Sequence, residues 1–304
     1  MSCRHANALL AWRLADLPRQ AIIPGNAMQR IVMGILILYV SFFGTARAAN
    51  YEYEVRQVAY HHLVAHLYLP KTLAKVPVVV AIGGSEGGLG TGDANGQMMA
   101  PQGIAVLGLA YFKESGLPAT LDQIPLEYFI SALDFLQTQP EVDATRIGFV
   151  GGSRGAEAAL LVASLDKRIK SVVATTPSSV AWFGRTLPKS AWTWQGKDIP
   201  AMSPTQDETL PQVGRFLAAL DQQQAVRQAR IAVEKINGPI LLISAQNDQV
   251  WPSFQMSNDI VAYLKERHFP HALTHDTYPT GHGFSQELAP RIKQSIIDHF
   301  LHTL

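Results

Sequence analysis

The sequence predicts an α/β fold: a mostly parallel central sheet with helices on both faces. Three observations lead there. Continuous apolar runs at 77–84 (PVVVAIGG), 103–111 (GIAVLGLAY) and 239–245 (PILLISA) have the length and composition of strands buried on both faces. Segments with helical apolar spacing alternate with these runs. A serine flanked by glycines stands between one predicted strand and one predicted helix.

The elements follow in order. Residues 51–59 and 64–70 alternate well enough for two strands paired as an entry hairpin or meander, and 71–75 is a turn. After the 77–84 strand comes a glycine-rich loop, Gly83 to Gly90, then a short helical stretch at 94–100. A helix is predicted over 121–136, where Ile124, Phe129, Ile130, Leu133 and Leu136 fall close to helical spacing. A short strand at 146–150 leads to the serine, and the small-residue segment 156–165 reads as a helix. Another strand is expected at 171–176. Residues 177–214 break the alternation with several prolines and with Trp182, Trp192 and Trp194, so they are expected to form a cap insertion. Helices are then predicted at 215–235, 254–267 and 286–302, and a late strand at 272–278.

The totals bound the function. The chain has 304 residues, 47% hydrophobic and 16% charged, as suits a folded α/β domain rather than a disordered chain. Its net charge of +1, with no long Lys/Arg run, argues against nucleic-acid binding. A single cysteine, Cys3, excludes an intrachain disulfide framework and a cysteine-based metal cluster. No histidine pattern of the H-E-x-x-H kind is present, and no metal or cofactor is expected.

The N-terminus predicts export. Residues 31–43 form a short apolar run, preceded by Arg30 and followed by Ala46-Arg47-Ala48, with small residues where a signal peptidase reads. The run is too short to span a bilayer comfortably. We read 28–48 as a signal peptide cut near Ala48 or Ala49, and 1–27 as an upstream extension from a start assigned too early. The rest, 49–304, would be one catalytic domain in the periplasm or secreted, with no stable membrane insertion once the signal is cut. Residues 1–48 hold five basic residues and one acidic residue. The remainder thus has 20 basic and 23 acidic residues, a net charge of −3.

The strongest local signal is Gly151-Gly152-Ser153-Arg154-Gly155, a G-x-S-x-G between a strand and a helix. Strand, sharp turn and helix together expose a serine hydroxyl at the top of a sheet, which marks an α/β-hydrolase fold. A serine nucleophile needs a base, and the base an orienting carboxylate, in chain order Ser, acid, His. Asp248 stands just past the 239–245 strand, where a parallel sheet places its sites. Six histidines follow Ser153. Only His282 lies in a loop between the last strand and the last helix, flanked by Gly281 and Gly283. The expected triad is Ser153, Asp248 and His282. The expected oxyanion donors are the backbone N–H of Arg154 and that of Ser85 or Glu86 in the glycine-rich loop. The Arg154 side chain is expected either to meet an acidic substrate group or to pair with Glu157. That loop lacks a G-K-[ST] ending and does not complete a dinucleotide motif. Trp182, Trp192, Trp194 and Trp251 are expected to line an acyl pocket, with packing of an excursion onto the sheet as the alternative.

These residues resemble a known family. Over roughly 75–300 the chain looks like the C-terminal catalytic domain of the acyl-CoA thioester hydrolase and bile acid-CoA:amino acid N-acyltransferase family. The resemblance rests on the loop at 83–90, on Gly108 to Phe112 (GLAYF), on Gly116-Leu117-Pro118 and on Ile124 to Phe129 (IPLEYF). It continues through the Ser153 turn, Gly238-Pro239, Asp248, Trp251-Pro252-Ser253 and Gly281-His282. It implies the same triad, with serine pointing to hydrolysis, since the N-acyltransferase members use cysteine. Larger members carry an N-terminal β-sandwich domain, and the residues between Ala49 and the first buried strand are too few for one. The related dienelactone hydrolase group shares the small single-domain shape. The expected substrate is a small-molecule acyl thioester or carboxylic ester, with acyl-CoA as one case. The alternatives are a secreted serine peptidase or amidase with the same triad, and a non-catalytic binding module on this fold.

Overall fold

A computed structural model describes residues 50–304 apart from Leu73. The expected signal peptide and upstream extension lie outside the described residues. Eight strands form the main sheet: β1 (Tyr53–Gln57), β2 (Val64–Pro70), β3 (Val76–Ile82), β4 (Ala105–Ala110), β6 (Val142–Gly152), β7 (Ile169–Thr175), β10 (Ile240–Ala245) and β11 (Leu273–Tyr278). Their order is β1-β2-β4-β3-β6-β7-β10-β11. β1 and β2 pair antiparallel, as does β2 with β4, and every later neighbour pairs parallel. The expected mostly parallel sheet and entry hairpin are therefore present.

Strand alternation sends side chains to two cores. In β3, Val78, Val80 and Ile82 face one core and Val79 and Ala81 the other, all at most 1% exposed. The first core is covered by α2 (Glu127–Gln137), α3 (Arg154–Leu165) and α6 (Ser253–Glu266) through Phe129, Leu133, Leu160, Ile260 and Leu264. The second is covered by α1 (Gly90–Met99) and α7 (Ala289–Thr303) through Met99, Ile292, Ile296 and Phe300. A sheet buried on both faces explains why its strands read as unbroken apolar runs.

Two sequence expectations are corrected. The helix expected over 121–136 begins only at Glu127, because Ile124–Pro125 forms a short strand, β5. Pro125 biases the residue before it toward extended backbone, and the Ile124 N–H donates to the Ala191 carbonyl. The helix expected over 215–235 is two helices, α4 (Gln212–Leu220) and α5 (Gln223–Ala229), plus a 3₁₀ turn at Val233–Lys235. Gln222 interrupts the run with a non-helical backbone (φ −78°, ψ 77°).

Segment 177–214 closes against the body. Strands β8 (Trp192–Trp194) and β9 (Lys197–Asp198) join β5 in a three-stranded sheet. Its anchor is a buried ion pair at the start of α3. Arg154 Nη1 lies 2.9 Å from Glu157 Oε2, with the side chains 8% and 0% exposed. This contact is an ion pair without hydrogen-bond alignment, and Arg154 Nε has no partner among the described residues. Glu157 Oε1 accepts from the Trp182 N–H (2.9 Å) and from Trp192 Nε1 (2.6 Å). Arg154 Nη2 donates to the carbonyls of Trp182 (3.2 Å) and Phe183 (3.0 Å). Burial pushes the Glu157 carboxyl up, against the pull of Arg154 and the two donors.

Two predictions follow from this packing. Glu157→Ala should cost about 3–5 kcal/mol, because it strands Arg154 in the interior. The double variant Arg154→Met/Glu157→Leu should recover part of that loss in urea melts. On the other face, burial holds the His299 imidazole down at about 4, with Asp276 opposing and His302 assisting, and its Nε2 meets Ser171 Oγ at 2.9 Å. The unfolded chain takes this proton near the ordinary value of 6.5, whereas the folded chain refuses it until about 4. Stability from this group is therefore full above 6.5 and falls as pH drops toward 4. The loss is on the order of 2 kcal/mol. Urea melts at pH 7 and 4.5 should show a smaller pH-dependent loss for His299→Gln than for the natural protein.

Candidate active site

Ser153 ends a strand and begins a helix. Its backbone takes φ 53° and ψ −118°, a conformation that side chains rarely adopt. The turn is held by the Ser153 N–H donating to the Thr175 carbonyl (2.9 Å) and by the Glu157 N–H donating to the Ser153 carbonyl (3.1 Å). The glycines on either side are required by close backbone approach. A Cβ on Gly151 would collide with the Gly155 carbonyl, and one on Gly155 with the Gly83 carbonyl. So β6, α3 and the glycine-rich loop meet at one point, with the serine hydroxyl left half-exposed between them.

The structure brings Ser153, His282 and Asp248 together from three loops. His282 Nε2 lies 2.9 Å from Ser153 Oγ, and its Nδ1 lies 2.8 Å from Asp248 Oδ2. An ionised Asp248 can only accept, so the imidazole proton belongs on Nδ1, leaving Nε2 to accept from Ser153. The Asp248 side chain is 2% exposed and that of His282 21%. Burial raises the Asp248 carboxyl, but the bonds from His282 and Ser253 and the Val250 N–H outweigh it, and the net position is lowered. His268, His271, His275, His299 and His302 make no hydrogen bond to Ser153 or Asp248. His275 meets Ser244 and His299 meets Ser171, both away from this site.

Several groups that support the three residues are not marked by local sequence. Ser253, fully buried, donates its hydroxyl to Asp248 Oδ2 at 2.6 Å. The N–H groups of Val250 and Trp251 donate to Asp248 Oδ1 at 2.9 and 3.2 Å. The Tyr111 hydroxyl donates to the carbonyls of Gly83 (3.0 Å) and Gly84 (3.2 Å), pinning the glycine-rich loop. Burial raises the Tyr111 phenol, which keeps it a donor. Both positions sit inside strings that stood out in the sequence, GLAYF and Trp251-Pro252-Ser253. Their use is visible only once the strand ends converge.

The remaining expected residues are placed as follows. Ser85 and Glu86 are exposed at the edge of a cavity of about 480 Å³ that holds Ser153 and His282. The Gly84 N–H donates to Glu86 Oε1 (2.8 Å) and the Gly87 N–H to the Gly84 carbonyl (3.3 Å). Among the described residues the N–H groups of Ser85 and Glu86 have no such partners. The Arg154 N–H lies in the first turn of α3, where no intrahelical acceptor exists. The Arg154 side chain takes the second of its two expected places, the pair with Glu157.

None of the four tryptophans lines this cavity. Trp192 is fully buried against Tyr111 and Phe129. Trp182 packs edge-on to Phe216, with ring centroids 4.7 Å apart. Trp194 is half-buried against the main core. Trp251 donates Nε1–H to the Thr176 carbonyl (3.1 Å) and sets its ring 6.1 Å from that of His282, so it backs the histidine. For Trp182 and Trp192 the physical reason is the Glu157 carboxylate, which draws the Trp192 indole N–H and the Trp182 backbone inward. Among the described residues no helix is long and apolar enough to cross a membrane, and no His/Cys/Asp/Glu group could hold a metal.

Comparison with known proteins bears on family and fold. The family described as BAAT / Acyl-CoA thioester hydrolase C terminal matches residues 124–299. Acyl-coenzyme A thioesterase 1 of Rattus norvegicus is 30% identical over 204 residues, which is 66% of this chain and 47% of that protein. Acyl-coenzyme A thioesterase 1 of Homo sapiens is 28% identical over 238 residues, or 76% of this chain and 54% of that protein. The chain therefore spans about half the length of these relatives. Among solved structures, a dienelactone hydrolase from Anabaena variabilis superposes with TM-score 0.54 at 16% identity, covering 84% of this chain and 99% of that one. An esterase from Pyrobaculum calidifontis gives TM-score 0.56 at 16% identity, covering 94% and 97%. These two likenesses show that the fold is that of the α/β hydrolases. From residue 124 through 299, across Ser153, Asp248 and His282, the chain belongs to the BAAT and acyl-CoA thioester hydrolase C-terminal family.

Proposed function

We propose that the protein is a serine hydrolase that cleaves acyl thioesters or carboxylic esters through an acyl-enzyme. The observation that carries this reading is the unbroken chain from Ser153 Oγ through His282 to Asp248, at 2.9 and 2.8 Å. His282 Nε2 takes the hydroxyl proton as Ser153 Oγ attacks the carbonyl carbon. The carbonyl oxygen gains negative charge and is received by the N–H of Arg154 and that of Ser85 or Glu86. The imidazolium then gives its proton to the leaving thiolate or alkoxide, and the carbonyl re-forms as the acyl-enzyme. Water, deprotonated by His282, attacks this ester and releases the acid and free Ser153. Asp248 stays ionised throughout, held so by Ser253 and two backbone N–H groups, and stabilises the imidazolium. Family membership supports thioesters as the first substrates to try, and acyl-CoA is the specific case we favour.

The kinetic test compares palmitoyl-CoA, acetyl-CoA and p-nitrophenyl esters with the chain beginning at Ala49. Ser153→Ala and His282→Ala should each lower kcat/KM by about 10⁴, and the double variant should be no worse than either single one. Turnover that survives Ser153→Ala would overturn the mechanism. Cleavage of short peptides without ester or thioester turnover would turn the reading to a peptidase or amidase.

We also propose that residues 28–48 direct export and are removed. Expressed with its own N-terminus in a Gram-negative host, the protein should appear in the periplasmic fraction or medium. Its first residue by mass spectrometry should be near Ala49. An intact N-terminus in the cytoplasmic fraction would refute this.

A further inference from the structure

We infer that Arg185 is the specificity-determining residue of this site, and that the substrate carries an anionic group that reaches it. The inference rests on the hydrolase reading above and concerns what the cavity accepts. Around Ser153 and His282 the lining residues include Thr91, Thr175, Thr176, Gln212 and Arg185, with Val250 and Phe284 as its large apolar members.

Arg185 is the only cation fixed in charge among these residues. Among the described residues it forms no ion pair, unlike Arg56, Arg146, Arg154 and Arg168. Asp122, which receives the residues that follow Arg185, is already committed. Asp122 accepts from the Thr186 N–H (3.0 Å), the Thr186 hydroxyl (2.8 Å) and the Leu187 N–H (3.1 Å). Burial would raise the Asp122 carboxyl, but these bonds hold it down at about 2.

The backbone under Arg185 is built to hold a position. Phe183 and Ser190 bridge antiparallel, and the Gly184 N–H donates to the Lys189 carbonyl (2.8 Å). The Arg185 N–H donates to the Leu121 carbonyl (3.1 Å). Gly184 admits no Cβ, which would strike Asp122 and the Leu121 carbonyl. The hairpin thus places Arg185, without a carboxylate partner among the described residues, in the lining of the cavity that holds Ser153. Carboxylates and phosphates are the natural partners of a guanidinium. Glu86, on the glycine-rich loop, is the acid of the same lining. Its Oε1 is taken by the Gly84 N–H and the Thr91 hydroxyl (2.7 Å). A substrate anion is therefore repelled from that loop and drawn to the hairpin.

The anion has two sources, a carboxylate at the far end of the acyl group or the phosphates of a nucleotide thiol. Two matched substrate pairs separate them. Glutaryl- against valeryl-N-acetylcysteamine varies the acyl end, and acetyl-CoA against acetyl-N-acetylcysteamine varies the leaving group. In one pair the natural protein should prefer the anionic member in kcat/KM by about 10- to 100-fold. Arg185→Gln should bring that ratio close to one, Arg185→Glu should invert it, and 0.5 M salt should shrink it, since the group is exposed. The pair that responds names the source. No preference in either pair, or a preference that Arg185→Glu leaves intact, overturns the inference. Turnover that survives Ser153→Ala instead strikes the hydrolase reading. If all four compounds are inert, calorimetric titration with glutarate and with coenzyme A decides independently. Affinity for one of them that falls tenfold or more in Arg185→Gln upholds the inference, and equal affinities overturn it.

Discussion

The site depends on the constrained turn at Ser153. A non-glycine residue at φ 53° is held there because three backbones converge too closely for any other path. The Ser153 N–H is tied to β7, and the N-terminal turn of α3 hangs from the Ser153 carbonyl. Strain of this kind costs on the order of 1–3 kcal/mol and persists only where surrounding structure over-determines it. Here the over-determination comes from a sheet buried on both faces, from the Gly151–Gly155–Gly83 contact, and from the Arg154–Glu157 pair one turn into the helix.

That pair links the turn to the rest of the cap. The same carboxylate that faces Arg154 receives the Trp182 backbone and the Trp192 indole, so the excursion after β7 folds onto α3 rather than standing away from it. Trp182 in turn meets Phe216, Phe216 meets Trp251, and Trp251 backs His282. One aromatic row therefore runs from segment 177–214 to the imidazole. The hairpin at 183–190 leaves this packed region at a fixed point and carries Arg185 to the cavity.

The convergence of Ser153, His282 and Asp248 was legible because its signals are local. Each of Ser153, Asp248 and His282 follows a strand of the main sheet, so a correct reading of three strand ends brings them together without knowing any contact. The supporting residues were not legible in the same way. Ser253 is one serine among many until its hydroxyl is found 2.6 Å from Asp248. Tyr111 looks like the tail of a buried strand until its hydroxyl meets two carbonyls of a distant loop. The helix boundary at Glu127 was misread because apolar spacing from Ile124 onward is helical, while Pro125 and the pairing of Ile124 with Trp192 favour a strand.

By itself the sequence determined the layered α/β architecture, the order of the strands along the chain and the three residues that stand at the strand ends. It could do so because buried parallel strands and sharp strand-to-helix turns impose composition over a few neighbouring residues. Only the tertiary structure decided what the tryptophans do, where Arg154 points and what surrounds the serine hydroxyl. Those outcomes turn on a competition between burial and hydrogen bonding across separations of 25 to 35 residues, as between Glu157 and the two tryptophans it holds. No local pattern encodes the winner of that competition.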